Sequence, residues 1–201
     1  MLQRLLCAFV LSLAGAVPAG AATLSKSYSY FTIHGKTLDE IEHQLGTRGP
    51  KLDATGQRHP GLTRMEFRTH VDFRRRSTSC EVAGAHVALT VKVILPRWSD
   101  RRADGEVKLI WEALSSDIRR HEEEHVKIAQ AYAQELERQL RAIGPQRNCP
   151  AVEAKVAQVR DKVLKKHDSA QDRFDDKESQ TFQSRLSRLF EDRLEKAASR
   201  R

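Results

Sequence analysis

Aromatic residues are scarce, at 6% of the chain, and they do not interleave with the basic clusters, which argues against a stacking platform for single-stranded nucleic acid. Beyond residue 22 no apolar run approaches the roughly 20 residues of a spanning helix, so no transmembrane segment is expected in that part of the chain. Cysteine is rarer still, with three in 201 residues. Cys7 lies within the apolar run Leu5 to Val17, away from any cleavage junction, which excludes a lipid-modified cysteine. That run follows Arg4, is broken by Ser12 and Gly15, and precedes "PAGAA" with small residues spaced for cleavage after Ala21 or Ala22. Residues 1–22 therefore read as a secretory signal peptide, and the expected location is periplasmic or secreted. Export leaves Cys80 and Cys149 where thiols are usually oxidised, so one disulfide is expected.

Acidic residues are also in deficit, 27 against 35 lysines and arginines, for a formal charge of +8; loss of Arg4 with the leader leaves +7. Such a surface attracts anionic partners, here an anionic cell-envelope polymer, and the cluster Arg74, Arg75 and Arg76 is its first candidate contact.

The remaining residues, about 180, fit one domain, taken as 23–185, followed by a basic helical tail at 186–201. "SYSYFTIHG" (27–35) reads as a strand. "TLDEIEHQLG" reads as a short helix, with Thr37 and Glu40 at capping-box spacing and Gly46 at its end. After a turn-rich loop, Met65, Phe67, Val71 and Phe73 alternate with polar residues. Val87, Leu89, Val91, Val93 and Leu95 do the same. These strands form a small antiparallel sheet with one apolar face that needs a cover. From Gly105 onward apolar residues recur every three or four positions, pause at "GPQRNCP", and resume. A long antiparallel helical hairpin supplies the cover, and the fold class is α+β.

Within the first long helix lies "HEEEH" (121–125). His121 and His125 stand four apart, continue the stripe of Leu114 and Ile118, and can present two imidazole nitrogens to one Zn2+ ion. Glu122 sits where a His-Glu-x-x-His site carries its general base, which points to hydrolysis by metal-activated water. A catalytic zinc needs a third protein ligand. With the hairpin turn centred near Arg147, equal rise on both helices places residues level when their numbers sum to about 294. His121 then faces "RFDDKES", so Asp175 and Glu178 are the candidates, one as ligand and the other as its support. His167 comes next, although its tilt carries it away from the metal.

The order of these features, namely a leading strand and helix, Cys80 before a strand ending "ILPRW", "RRHEEEHVKIAQAYAQELE", Cys149 and "RFDD", resembles the DUF922 family of predicted secreted zinc-dependent proteases. The resemblance spans nearly the whole mature chain. It implies a zincin-like site with His121 and His125 as ligands and Glu122 as base, a Cys80–Cys149 bridge, and a peptide or cell-envelope substrate. It also implies a Thr-x-His-Gly pattern after the aspartate, where this chain has Glu178 and Gln180 in place of the threonine and histidine.

Overall fold

The computed structural model describes residues 22–52, 56–100 and 102–199; the expected leader lies outside these except for Ala22. The elements run β1 (Thr23–Ile33), α1 (Leu38–Arg48), β2 (Leu62–Arg75), β3 (Cys80–Trp98), α2 (Gly105–Arg141) and α3 (Cys149–Ala198). The architecture is α+β: a three-stranded sheet followed by a run of two long helices.

The sheet has the order β1-β3-β2. β2 and β3 form the expected antiparallel pair, closed by a turn in which Arg76 N–H donates to Ser79 O at 2.8 Å. β1, however, joins β3 in parallel, from Thr23 opposite Ala88 to Ile33 opposite Trp98, so the sheet is mixed rather than antiparallel. The reason is connectivity. Parallel neighbours need a long crossover, and α1, the following loop and β2 together supply it. The centre goes to β3, whose Val87, Leu89, Val91, Val93 and Leu95 are all 3% exposed or less. Burying each of these side chains contributes about 1.5–3 kcal/mol.

Local sequence explains the ends of the elements. Thr37 Oγ1 accepts from Glu40 N–H at 3.3 Å, and Glu40 Oε2 accepts from Lys36 N–H at 2.6 Å, a reciprocal cap shifted by one residue. α1 continues past Gly46 to Gly49, where a Cβ would lie 2.1 Å from His59 O; the chain can cross there only without a side chain. A bulge between Asp72 and Phe73 ends the alternation of β2, leaving Phe73 39% exposed rather than inward.

The hairpin covers the apolar face. Val126, Ala129, Ala133, Leu136 and Leu140 of α2 cluster with β3 and with Val152 and Val163 of α3. A second cluster joins Ile33, Ile41, Leu45 and Trp111, seating α1 at the other end of the sheet. Beyond the start of β1 pairing, buried Glu137 accepts from Val87 N–H at 2.8 Å and pairs with Arg141 at 2.9 Å, satisfying a strand edge that β1 does not reach. Residues 186–198 continue α3 without a break, and Arg193 reaches Glu112 of α2 at 2.8 Å.

Cys80 and Cys149 form a disulfide that ties the start of β3 to the start of α3 across 69 residues. The bridge Cys80–Gln146 and the Asn148 cap, whose Oδ1 accepts from Ala151 N–H at 2.9 Å, hold the same corner. Closing a loop of that length restricts the unfolded chain by about 4 kcal/mol. Replacing both cysteines by alanine should lower unfolding free energy by about that amount in urea titration, and reductant should then have no further effect on the variant.

Candidate metal centre

α2 does not bury the face that its histidines suggest. The deepest positions run Ile118, Glu122, Val126, Ala129 and Ala133, so the core stripe passes through the glutamate, which is 5% exposed. His121 and His125 lie on the flank toward α3, with side chains 29% and 13% exposed. α3 answers with a stripe of its own at helical spacing: Val163, His167, Gln171, Asp175, Glu178, Phe182 and Arg185.

Three donor atoms converge where the stripes meet. His121 Nε2 and His125 Nε2 are 3.0 Å apart, and Asp175 Oδ1 is 3.3 Å from the first and 3.1 Å from the second. Ligands at about 2.0–2.1 Å around a tetrahedral ion stand about 3.3–3.4 Å from one another, so the spacing and the donor chemistry both fit a metal. Two imidazoles and a carboxylate suit a first-row transition ion and leave further coordination positions open. His121, His125 and Asp175 therefore form a group able to hold a metal ion.

The surrounding residues orient these donors. Gln171 Nε2 donates to His125 O at 3.2 Å and to His167 Nε2 at 2.9 Å, which turns its Oε1 toward His125 Nδ1 at 2.7 Å. His125 Nδ1 must then carry the proton, and Nε2 keeps its lone pair for the metal. Buried His167 is thus held behind the site, its ring edge against Phe67 and Tyr132, and not among the donors. Phe174 packs 5.0 Å from both imidazole rings and limits their rotation.

Glu178 lies beside His121 rather than among the three donors. Its Oε2 is 3.7 Å from His121 Nδ1 and pairs with Arg120 and, at 3.1 Å, with Arg185. Both arginines also bind buried Asp117, at 3.0 and 2.7 Å. Burial would raise the Asp117 carboxyl, but Arg185 and Arg120 outweigh it and hold it low. Gln180 is exposed and stands outside the group.

Glu122 faces the cleft beside the donors. Thr63 Oγ1 donates to its Oε2 at 2.7 Å and contacts its backbone oxygen at 3.1 Å. A Cβ at Gly61 would fall 2.7 Å from Glu122 Oε1, so the glycine leaves the carboxylate its room. Burial raises the Glu122 carboxyl above its ordinary value, against the opposing pull of Thr63 and the two histidines. For Asp175 burial also acts upward, but hydrogen bonds from His121 and His125 prevail and hold it well below the carboxylate range. Burial lowers His125, yet Asp175 and Gln171 outweigh it and raise its affinity for a proton.

Sequence spacing thus brought Asp175 and Glu178 to the right level, and it missed Thr63, Gln171 and the Asp117–Arg120–Arg185 cluster. Gln171 was findable, since it stands four residues from both His167 and Asp175. Thr63 carries no local signal, because strand pairing alone brings it to α2.

The fold and this donor group define a two-layer α+β protein with a candidate metal centre in its helical layer. Residues 28–182 match the model of the family described as bacterial protein of unknown function (DUF922), and the chain belongs to that family. No curated protein and no solved structure matches it.

Gln171→Leu should weaken binding of an added transition-metal ion about 10–100-fold, the usual cost of losing a partner that orients a histidine ligand, and should also lower the melting temperature of the metal-free protein, because buried His167 Nε2 loses its donor. Competition with a chromophoric chelator measures the first and circular dichroism the second. Because the raised His125 pKa makes protons compete for the same nitrogen above pH 6.5, the rise in melting temperature on adding a transition-metal ion should grow between pH 5.5 and pH 8. In the metal-free protein the sign is opposite: the stability from protonated His125 is fully present below its unfolded pKa and is lost as pH rises through the higher folded value.

Proposed function

We propose that this chain is an exported zinc-dependent hydrolase, a peptidase acting on peptide or cell-envelope substrates. His121, His125 and Asp175 are its ligands, Glu122 is its general base, and Glu178 supports His121. The observation that carries this reading is the convergence of three donor atoms within 3.3 Å beside a buried, hydrogen-bonded glutamate that donates nothing to the group itself. A metal site built only for structure closes its coordination with protein donors, whereas here the donor Asp175 is half exposed and a cleft of about 480 Å³ adjoins the group.

Zinc bound there would polarise a substrate carbonyl and bring the pKa of its water toward 7. Glu122 does the proton work. Burial raises its basicity toward the working pH, and Thr63 fixes the carboxylate so that the remaining oxygen can accept a proton from water. The same carboxyl then delivers that proton to the leaving amine nitrogen as the amide bond breaks. Hydroxide ends on the carbonyl carbon and the proton on nitrogen, which balances hydrolysis. Gln171 keeps His125 in the required tautomer, and Phe174 keeps both rings in place.

The alternative, an envelope protein that holds anionic polymer through Arg74–Arg76 without turnover, has less support. Arg74 and Arg76 both bond Glu81 Oε1, at 3.3 and 2.8 Å, so part of that charge is already compensated.

Purified protein should contain stoichiometric zinc by mass spectrometry and lose it in His121→Ala. Glu122→Gln should keep the metal while amide hydrolysis falls by a factor of about 10²–10⁴, the usual contribution of a positioned general base. Hydrolysis that survives both chelation and Glu122→Gln would sink the proposal.

A further inference from the structure

We infer that the cleft beside the donor group receives a bulky apolar side chain of the substrate, and that Phe182 sets this preference. The inference rests on the hydrolase reading above and adds its substrate class.

Of the residues lining the cleft, Leu62 and Met65 come from β2, Ile118 from the core stripe of α2, and Phe182 from α3, seven residues beyond Asp175 and so on the same helical face. The cleft is about 480 Å³, and a cavity of roughly 150 Å³ already accommodates benzene, so an aromatic or branched aliphatic side chain enters with room for the adjoining backbone.

The charges at its margin are already matched. Among the described residues the charged lining, besides the donors and Glu122, consists of Asp117, Glu178 and Arg185, with the His59 ring also at the margin. Arg185 donates to Asp117 Oδ1 at 2.7 Å and Oδ2 at 3.2 Å and lies 3.1 Å from Glu178, while Arg120 reaches both carboxylates from behind. Two guanidinium groups thus face two carboxylates. A substrate aspartate entering here would leave water and find Arg185 already paired, and a lysine would find Asp117 and Glu178 already paired and only Glu122, the proposed base, without a cation; that desolvation is unfavourable. An apolar group loses nothing polar on entry and removes the surfaces of Leu62, Met65 and Phe182 from water.

Phe182 is the residue on which selectivity turns. Ile118 is 6% exposed and belongs to the core, whereas Phe182 is partly exposed, with its ring centre 6.0 Å from the guanidinium carbon of Arg185. Changing its size alters the cleft without touching the donors.

Hydroxamate probes on the zinc-loaded protein test this by calorimetry. Acetohydroxamate provides the reference, and succinyl hydroxamates bearing benzyl, isobutyl or carboxymethyl groups report the cleft. Benzyl and isobutyl probes should bind at least tenfold more tightly than carboxymethyl, within the about 10–200-fold range that an apolar pocket resolves. Phe182→Ala should reduce the benzyl advantage about tenfold while zinc content and acetohydroxamate affinity stay unchanged. Phe182→Trp should shift preference from benzyl to isobutyl. Equal binding of the charged probe, or a benzyl-to-isobutyl ratio indifferent to both variants, would overturn the inference while leaving the hydrolase reading intact. Loss of zinc in both variants would also overturn it, because Phe182 would then act on the donor group. Absence of zinc from the native protein defeats the hydrolase reading at the metal measurement, and the inference falls with it.

Discussion

The register of α3 against α2 decides whether a site exists at all. A slip of one residue moves a helix side chain 1.5 Å along the axis and about 100° around it, enough to carry Asp175 away from both imidazoles. Two fastenings hold that register from opposite sides of the donor group. At the hairpin tip, the Cys80–Cys149 bridge, the Asn148 cap and the Cys80–Gln146 pairing fix where α3 begins. Beyond the site, Arg185 binds Asp117 and Arg193 binds Glu112, so α3 is clamped again on the far side. The donors lie between these fastenings, so two rigid helices bring them together and the attraction of Asp175 for both imidazoles adds to a register already set.

Burying carboxylates is costly unless each finds partners, and this fold does it three times along α2. Asp117 is answered by two arginines, and Glu137 by Arg141, Val87 N–H and the His86 ring. Glu122 differs. It has a hydroxyl from Thr63 and the field of two imidazoles, but, among the described residues, no cation bonded to it. The same helix therefore carries two carboxylates that are neutralised and one whose proton affinity is raised. A carboxylate held only by a neutral donor can still take up a proton, and this separates a candidate base from structural ion pairs of the same residue type.

How much of this was legible in the sequence follows from how local each signal is. The capping residues of α1, the alternation in β2 and β3, and the three-four rhythm of the hairpin are properties of neighbouring residues, and they led to the right elements. The level rule for an antiparallel hairpin reached Asp175 and Glu178 because two straight helices rise equally. It could not rank them, since the choice depends on Arg120 and Arg185 drawing Glu178 toward Asp117, a contact across the hairpin. Apolar periodicity also misjudged the depth of α2. Two histidines look more core-like than a glutamate, yet Glu122 is the buried one, because β2 offers it Thr63 at a position where Gly61 leaves space. Parallel pairing of β1 was hidden for a similar reason: strand patterns record which face is apolar but not the direction in which a neighbour runs.

The α3 stripe shows how one helix can serve both stability and a polar site. Toward the hairpin tip it contributes Val152 and Val163 to the core with Leu136 and Leu140, all nearly or fully inaccessible. Past Val163 the same face changes to His167, Gln171, Asp175 and Glu178, where apolar burial contributes little and hydrogen bonds set geometry instead. That division is possible because the tip, the disulfide and the β3 core already stabilise the hairpin. The donors then need not contribute to folding, and Asp175 can stay half exposed beside a cleft. A stripe that remained apolar throughout would bury more surface and hold no ion. A stripe polar throughout would leave α3 without a reason to dock. The transition near His167 lets one continuous helix be core at one end and site at the other.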